Sequence, residues 1–199
     1  GIRGSGKSSA VSAALFLLLL CLMPAGSSLS AQSVMPVKGY GNATYNGLQD
    51  NQFLTRWLVL GPLPVAVKPG QQPDQQALKD AFDSDMLTAV AADRKKTLAP
   101  VPWAGRVNNW EYVESESDTI QLNKILGDSD YVVAYALAEI NMTGSATVLV
   151  GLGSDDGVRV WLNGKEVHRN YIDRGLVVDD DIFEITLNKG SNQLLIKVL

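Results

Sequence analysis

Apolar and polar residues alternate along the C-terminal half of this chain with the two-residue period of a β-strand. Val158, Val160 and Leu162 share one face of a run whose other face carries Arg159 and Trp161. Asn163-Gly164 follows, a dipeptide suited to the positive φ that a type I′ turn needs at both central positions. Gly157–Leu162 and Lys165–Arg169 are therefore predicted as a hairpin. A tight turn at Asp155-Asp156-Gly157 precedes it, with Gly157 expected to take the positive φ. Tyr131–Ile140 alternates too weakly for a strand with one wet side, which predicts burial on both faces. Ala146–Leu152 is expected as its close partner across Thr143-Gly144-Ser145, and Asp181–Leu187 is expected to pair with Asn192–Leu199.

Upstream the signals are sparser. Arg56–Leu60 reads as a strand ended by Gly61-Pro62, and Asn109–Val113 as another. Leu78, Phe82, Met86 and Val90 recur at intervals of four, which predicts a helix over 74–92 with Asp74 as its N-cap. Pro100, Pro102 and Gly105 mark a loop, and residues 114–130 a polar connection. The pattern amounts to seven or eight strands and one helix.

The first 31 residues obey a different logic. Arg3 and Lys7 precede the apolar run Val11–Met23, and Pro24-Ala-Gly-Ser-Ser-Leu-Ser-Ala31 supplies a breaker and small residues. That is the layout of a signal peptide, with an apolar centre shorter than the roughly 20 residues a membrane span takes. Gly1–Ser8 also matches the spacing of a phosphate-binding loop, but no strand precedes it and no amphipathic helix follows, so an export leader is the better reading. The expected organisation is a signal peptide over 1–31, an extended lead-in over 32–52 and one β-domain over 53–199. The last strand runs to Leu199 without a turn or cap, so the domain is expected to be truncated at its C-terminal strand. The expected location is secreted, periplasmic or cell-surface, with no stable membrane anchor after cleavage.

Composition narrows the function. Apolar residues make up 46 % and charged residues 19 % of the 199 positions, enough for a packed core. A net charge of −4 gives no basic footprint for nucleic acid; the one basic cluster, Arg94-Lys95-Lys96, reads as a solvated loop. The single cysteine, Cys21, falls in the leader, so the processed chain has no disulfide, thiolate metal site or cysteine nucleophile.

The run Gly153-Ser-Asp-Asp-Gly-Val-Arg-Val-Trp-Leu-Asn-Gly-Lys165 resembles the galactose-binding-like jelly-roll domains of secreted bacterial hydrolases and exported proteins of unassigned function. Trp57-Leu-Val-Leu-Gly-Pro62, Val133-Ala-Tyr135, Asp173-Arg-Gly175 and Leu187-Asn-Lys-Gly-Ser-Asn192 extend the resemblance over about residues 53–199. It implies a mainly β fold, an antiparallel jelly-roll β-sandwich with one short helix, and it implies carbohydrate as a ligand class. In such domains an aromatic-rich strand follows the point where this chain ends.

The candidate chemistry is modest. Trp161 beside Arg159 could stack a sugar ring or a base, or pack beneath a covering loop. Trp103 and Trp110 flank a Pro/Gly loop and are comparable platforms. Asp155 and Asp156 read first as turn formers, because neighbouring residues point apart and cannot flank one scissile bond. With Asp180 from the Asp179–Asp181 run they would also suit a structural calcium ion; no other cofactor is expected. His168 is the only histidine, and no Gly-x-Ser-x-Gly elbow accompanies it, so no catalytic constellation is expected within the chain. The sequence thus points to a non-catalytic accessory module that binds carbohydrate or packs on a downstream domain of the same polypeptide. Two alternatives are the N-terminal domain of a secreted hydrolase (glycoside hydrolase, esterase or peptidase) catalysing beyond residue 199, and a structural spacer at the cell surface.

Overall fold

The computed structural model describes residues 14–20, 41–65, 71–84, 87, 98 and 100–199. The Gly1–Ser8 motif, Cys21, Arg94-Lys95-Lys96 and most of the expected leader lie outside these residues. Among the described residues the chain forms fourteen strands and two α-helices, more pieces than the alternation predicts.

The long strands build two facing antiparallel sheets. One holds β9 (Val132–Met142), β14 (Gly190–Val198), β11 (Val158–Leu162), β12 (Lys165–Asn170), β4 (Arg56–Pro64) and β7 (Glu111–Glu114), in the order β12-β11-β14-β9-β4-β7. The short β2 (Thr44–Asn46) pairs with β9 in parallel. The other sheet runs β13 (Asp181–Leu187), β10 (Ala146–Ser154), β1 (Ala14–Leu20), β3 (Gln52–Phe53), and β8 (Thr119–Gln121) also pairs with β1. Between the sheets Val148, Val150 and Leu152 of β10 and Ile185 and Leu187 of β13 share one core with Ala136 and Ala138 of β9, Val158, Val160 and Leu162 of β11, and Leu194, Ile196 and Val198 of β14. The alternating residues of β11 are thus inside, as period-two patterning requires.

A second apolar layer covers the outer face of the larger sheet. Leu58, Leu60, Tyr135, Leu137, Trp161 and Leu195 form it, with Ala81 of helix α1 (Gln75–Asp83), Trp103 and Trp110 packed against it. Double coverage explains why every residue of β11, and all of β9 after Val132, is buried.

Several expectations are corrected. β9 and β10 do not pair: Thr143-Gly144-Ser145 carries the chain from one sheet to the other, and β13 and β14 likewise separate. The Asn188–Ser191 connection is a crossover organised by fully buried Asn192, whose Nδ2 donates to the carbonyls of Asn188, Gly190 and Ile140 while its Oδ1 accepts from Asn188 N–H and Asn163 Nδ2. β4 continues through Gly61-Pro62, because a register shift between Leu60 and Leu63 accommodates the missing proline donor. Helix α1 begins at its expected cap, with Asp74 Oδ1 accepting from Ala77 N–H at 2.8 Å, and ends at Asp83; Met86 and Val90 of the expected helix lie outside the described residues. The Pro/Gly loop holds a small hairpin, β5 (Val101–Trp103) and β6 (Arg106–Asn108), turning at Ala104-Gly105 with φ of 49° and 75°. The polar connection contains β8 and a short helix α2 (Leu122–Leu126). The Asn163-Gly164 hairpin has φ of 53° and 81°, as its turn type demands.

Candidate ligand-binding cleft

The residues singled out from the sequence fall in three places. Arg159 and Trp161 share the outer face of β11, with the guanidinium 4.7 Å from the indole, but α1 lies over them. Trp161 is 2 % exposed and Arg159 4 %. Arg159 Nε donates to Glu166 Oε2 at 2.7 Å, and its Nη1 donates to the carbonyls of Phe82 and Asp83 at the end of α1. Both side chains therefore hold the helix on the sheet instead of facing solvent.

Trp103 and Trp110 border the same apolar layer. Trp103 Nε1 donates to the Pro64 carbonyl at 2.8 Å, so the ring is fixed at the mouth of a hollow of about 260 Å³ shared with Val65, Ala77, Asp80 and Ser84. Trp110 is half-buried, with its Nε1 enclosed and lacking a hydrogen-bond partner.

The acidic turns are tied together by Arg174. Its guanidinium donates to Asp180 Oδ2 at 2.8 Å, to Ser154 Oγ at 2.8 Å and to Asp181. Its backbone N–H donates to Asp156 Oδ1, and its carbonyl accepts from Asp156 N–H, each at 3.1 Å. Asp156, and not Gly157, takes the positive φ of this turn, at 63°. Gly157 is needed for closeness: a Cβ there would sit 3.0 Å from Phe82 Cε2. Of the three carboxylates expected to suit calcium, Asp155, Asp156 and Asp180, Asp180 pairs with the Arg174 guanidinium and Asp156 accepts from the Arg174 N–H. Among the described residues no group of three His, Cys, Asp or Glu side chains is disposed to hold a metal ion. Burial, and then the charge of Asp173, push the Asp155 carboxyl above the ordinary range. Burial also raises Asp156, with Asp155 and Asp173 adding to it against the Arg174 N–H.

His168 stacks on Phe183, ring centroids 4.3 Å apart, with Nε2 3.3 Å from Asp181 Oδ1. Neither neighbour carries a hydroxyl or thiol that the imidazole could activate. Asp181 instead accepts from Asn170 Nδ2 and Arg174, which is the geometry of a structural anchor.

The acid turn also borders a cleft of about 290 Å³ beside α1, which the sequence reading missed. Gln75 and Leu78 of the helix form one wall, and Tyr171, Ile172 and Asp173 form the other. Tyr131, Asp156 and Leu199 close the end. Tyr171 packs on Phe82 at 5.0 Å between centroids, and Lys79 Nζ lies 5.4 Å from its ring, so the phenol is held from beneath. Tyr131 is 38 % and Tyr171 40 % exposed. The only sequence signal for this wall is the aromatic-acid run Asn170-Tyr-Ile-Asp173 after a strand, which carries no periodicity. Comparison of the chain with protein-family models, curated proteins and solved structures finds no match.

Proposed function

We propose that this chain is a non-catalytic accessory module of an exported protein, with a galactose-binding-like jelly roll as its scaffold and carbohydrate as its ligand. One observation carries the reading: two half-exposed tyrosine rings share a cleft with the Gln75 amide and the Asp156 and Asp173 carboxylates. A sugar offers an apolar ring face and a rim of hydroxyl donors, and this lining supplies a complement to each. The Tyr171 ring is supported by Phe82 and Lys79 of the helix, so little cost of ordering it accompanies binding.

Titration calorimetry of the chain with neutral hexoses and their oligomers tests it. Binding heat should be lost in Tyr171→Ala while the melting temperature stays within a few degrees. A glycan array without a positive, or equal affinity in wild type and Tyr171→Ala, would remove the reading.

A second reading rests on a separate feature. Val177, Val178 and Ile182 are exposed by 54 %, 47 % and 63 %, the first two in the loop before β13 and Ile182 on β13 itself, a strand of the smaller sheet. Apolar side chains grouped this way suit packing against a neighbouring domain of the same polypeptide. Val178→Lys should leave sugar binding intact and weaken that packing, which limited proteolysis of the whole polypeptide would register.

A further inference from the structure

We infer that the smaller sheet contains a strand-acceptor slot, which takes one extended apolar segment antiparallel to β10, and that residues 14–20 fill it in the intact chain. β1 pairs with β10 from Leu15↔Ser154 to Leu20↔Leu149. On its other side it pairs with β3 at Leu18↔Phe53 and Leu19↔Gln52, and with β8 from Ala14↔Gln121 to Phe16↔Thr119. Among the described residues β3 and β8 have no other strand partner, so β1 alone connects them to the β10–β13 pair. Two inter-strand steps separate β10 from them, roughly 10 Å at the usual spacing.

The lining of the slot specifies its occupant. β10 reads Ala-Thr-Val-Leu-Val-Gly-Leu-Gly-Ser, β3 Gln-Phe and β8 Thr-Ile-Gln, with no charge and no proline among them. Sheet edges meant to face water are normally defended by lysine, proline or a bulge, and these are not. Val150, Leu152, Ile120 and Leu122 beside the slot belong to the inter-sheet core, so an empty position would open that core to solvent. The occupant, Ala-Leu-Phe-Leu-Leu-Leu-Leu, is uncharged throughout and seven residues long. The same residues form the centre of the segment expected to be removed on export. Export would therefore vacate the slot and leave an acceptor for another strand of the same chemistry, by the edge-addition mode of peptide recognition. This inference is independent of the cleft beside α1.

The test begins with the folded full chain, carrying a protease site between residues 31 and 32, which is then cut. The released N-terminal piece should co-elute with residues 32–199 in gel filtration, and excess lysine-flanked peptide of residues 14–20 should displace it. A Leu18→Lys chain should lose its piece on cutting. A second measurement needs no cut: with Cys21→Ser, the pair Leu20→Cys and Leu149→Cys should cross-link on mild oxidation, whereas Leu20→Cys with Ile182→Cys should not. Separation of the piece in native buffer with amide protection of Leu149–Ser154 unchanged, or equal cross-linking of both cysteine pairs, overturns the proposal.

Discussion

Lys197 Nζ donates to the carbonyl oxygen of Phe82 at 3.0 Å, joining a fully buried cation of the sheet to the last turn of α1. It also donates to Ser84 O at 3.0 Å and to Ala81 O. The last carbonyls of a helix have no partner within it and carry the negative end of its dipole. A lysine from β14 supplies what a C-terminal cap would otherwise provide, and this fixes the helix that lines the cleft.

Lys197→Met keeps the length of the side chain and removes the donors. Helix carbonyls left short of a partner in a buried setting cost about 1–3 kcal/mol. Urea unfolding should show a lower midpoint with an unchanged slope; an unchanged midpoint would mean that water replaces the ammonium at no cost.

Arg159 serves the same carbonyls from the neighbouring strand, with Nη1 donating to Phe82 O at 3.0 Å and to Ser84 O at 3.3 Å. Two donors on shared acceptors cannot act independently. The double variant Arg159→Ala/Lys197→Met should differ from the sum of the single variants by about 0.5–3 kcal/mol. A strictly additive cycle in chemical denaturation would show that each cation holds the helix by separate contacts.

Gly157 meets α1 at its other side. A methyl group there would lie 3.0 Å from Phe82 Cε2 and 3.1 Å from Cδ2. Gly157→Ala should force the ring, and with it Tyr171, away from the sheet, at about 1–3 kcal/mol for overpacking. Because Tyr171 lines the cleft, the sugar affinity proposed for it should fall along with stability. A variant that melts like wild type would place the slack in Phe82.

How much of this was legible in the sequence depended on the range of the interaction. Val158, Val160 and Leu162 face the inter-sheet core because period-two patterning reports burial directly, and Asn163-Gly164 turns as its backbone preference dictates. Pairing across longer distances was not readable. Leu187 and Asn192 looked like the two sides of a hairpin, yet Asn192 bonds instead with Asn163 and Ile140 and sends its strand into the opposite sheet. Arg159 and Lys197 look like ordinary solvent-facing residues of alternating strands, since nothing local announces that a helix more than seventy residues upstream will end on them. The cleft was invisible for the same reason: Tyr131, Tyr171 and Gln75 belong to three separate segments, and only the docking of α1 brings them together.

Asp179 and Asp181 stand two residues apart and should titrate in opposite senses. Burial opposes ionisation of Asp181, but hydrogen bonds from Arg174 and Asn170 outweigh it and hold the carboxyl below the ordinary range. A carboxyl depressed in the folded state adds stability that is complete above its unfolded pKa, about 3.9, and is lost as pH falls through the folded value. Asp181→Asn should therefore lower stability at neutral pH and flatten the acid limb of the unfolding profile. Asp179 lies over Gly151 with Oδ1 enclosed and lacking a hydrogen-bond partner, and burial raises its carboxyl. A raised carboxyl binds its proton more tightly when folded, so its ionised form opposes folding at neutral pH, and the penalty fades as pH falls through the folded value to nothing below about 3.9. Asp179→Asn should accordingly stabilise the chain at pH 7 and lose that advantage on the acid side. Melting temperatures of both variants measured from pH 7 down to pH 3 decide the matter. Parallel curves for the two would show that the Arg174 network, and not the individual carboxylates, sets the acid response.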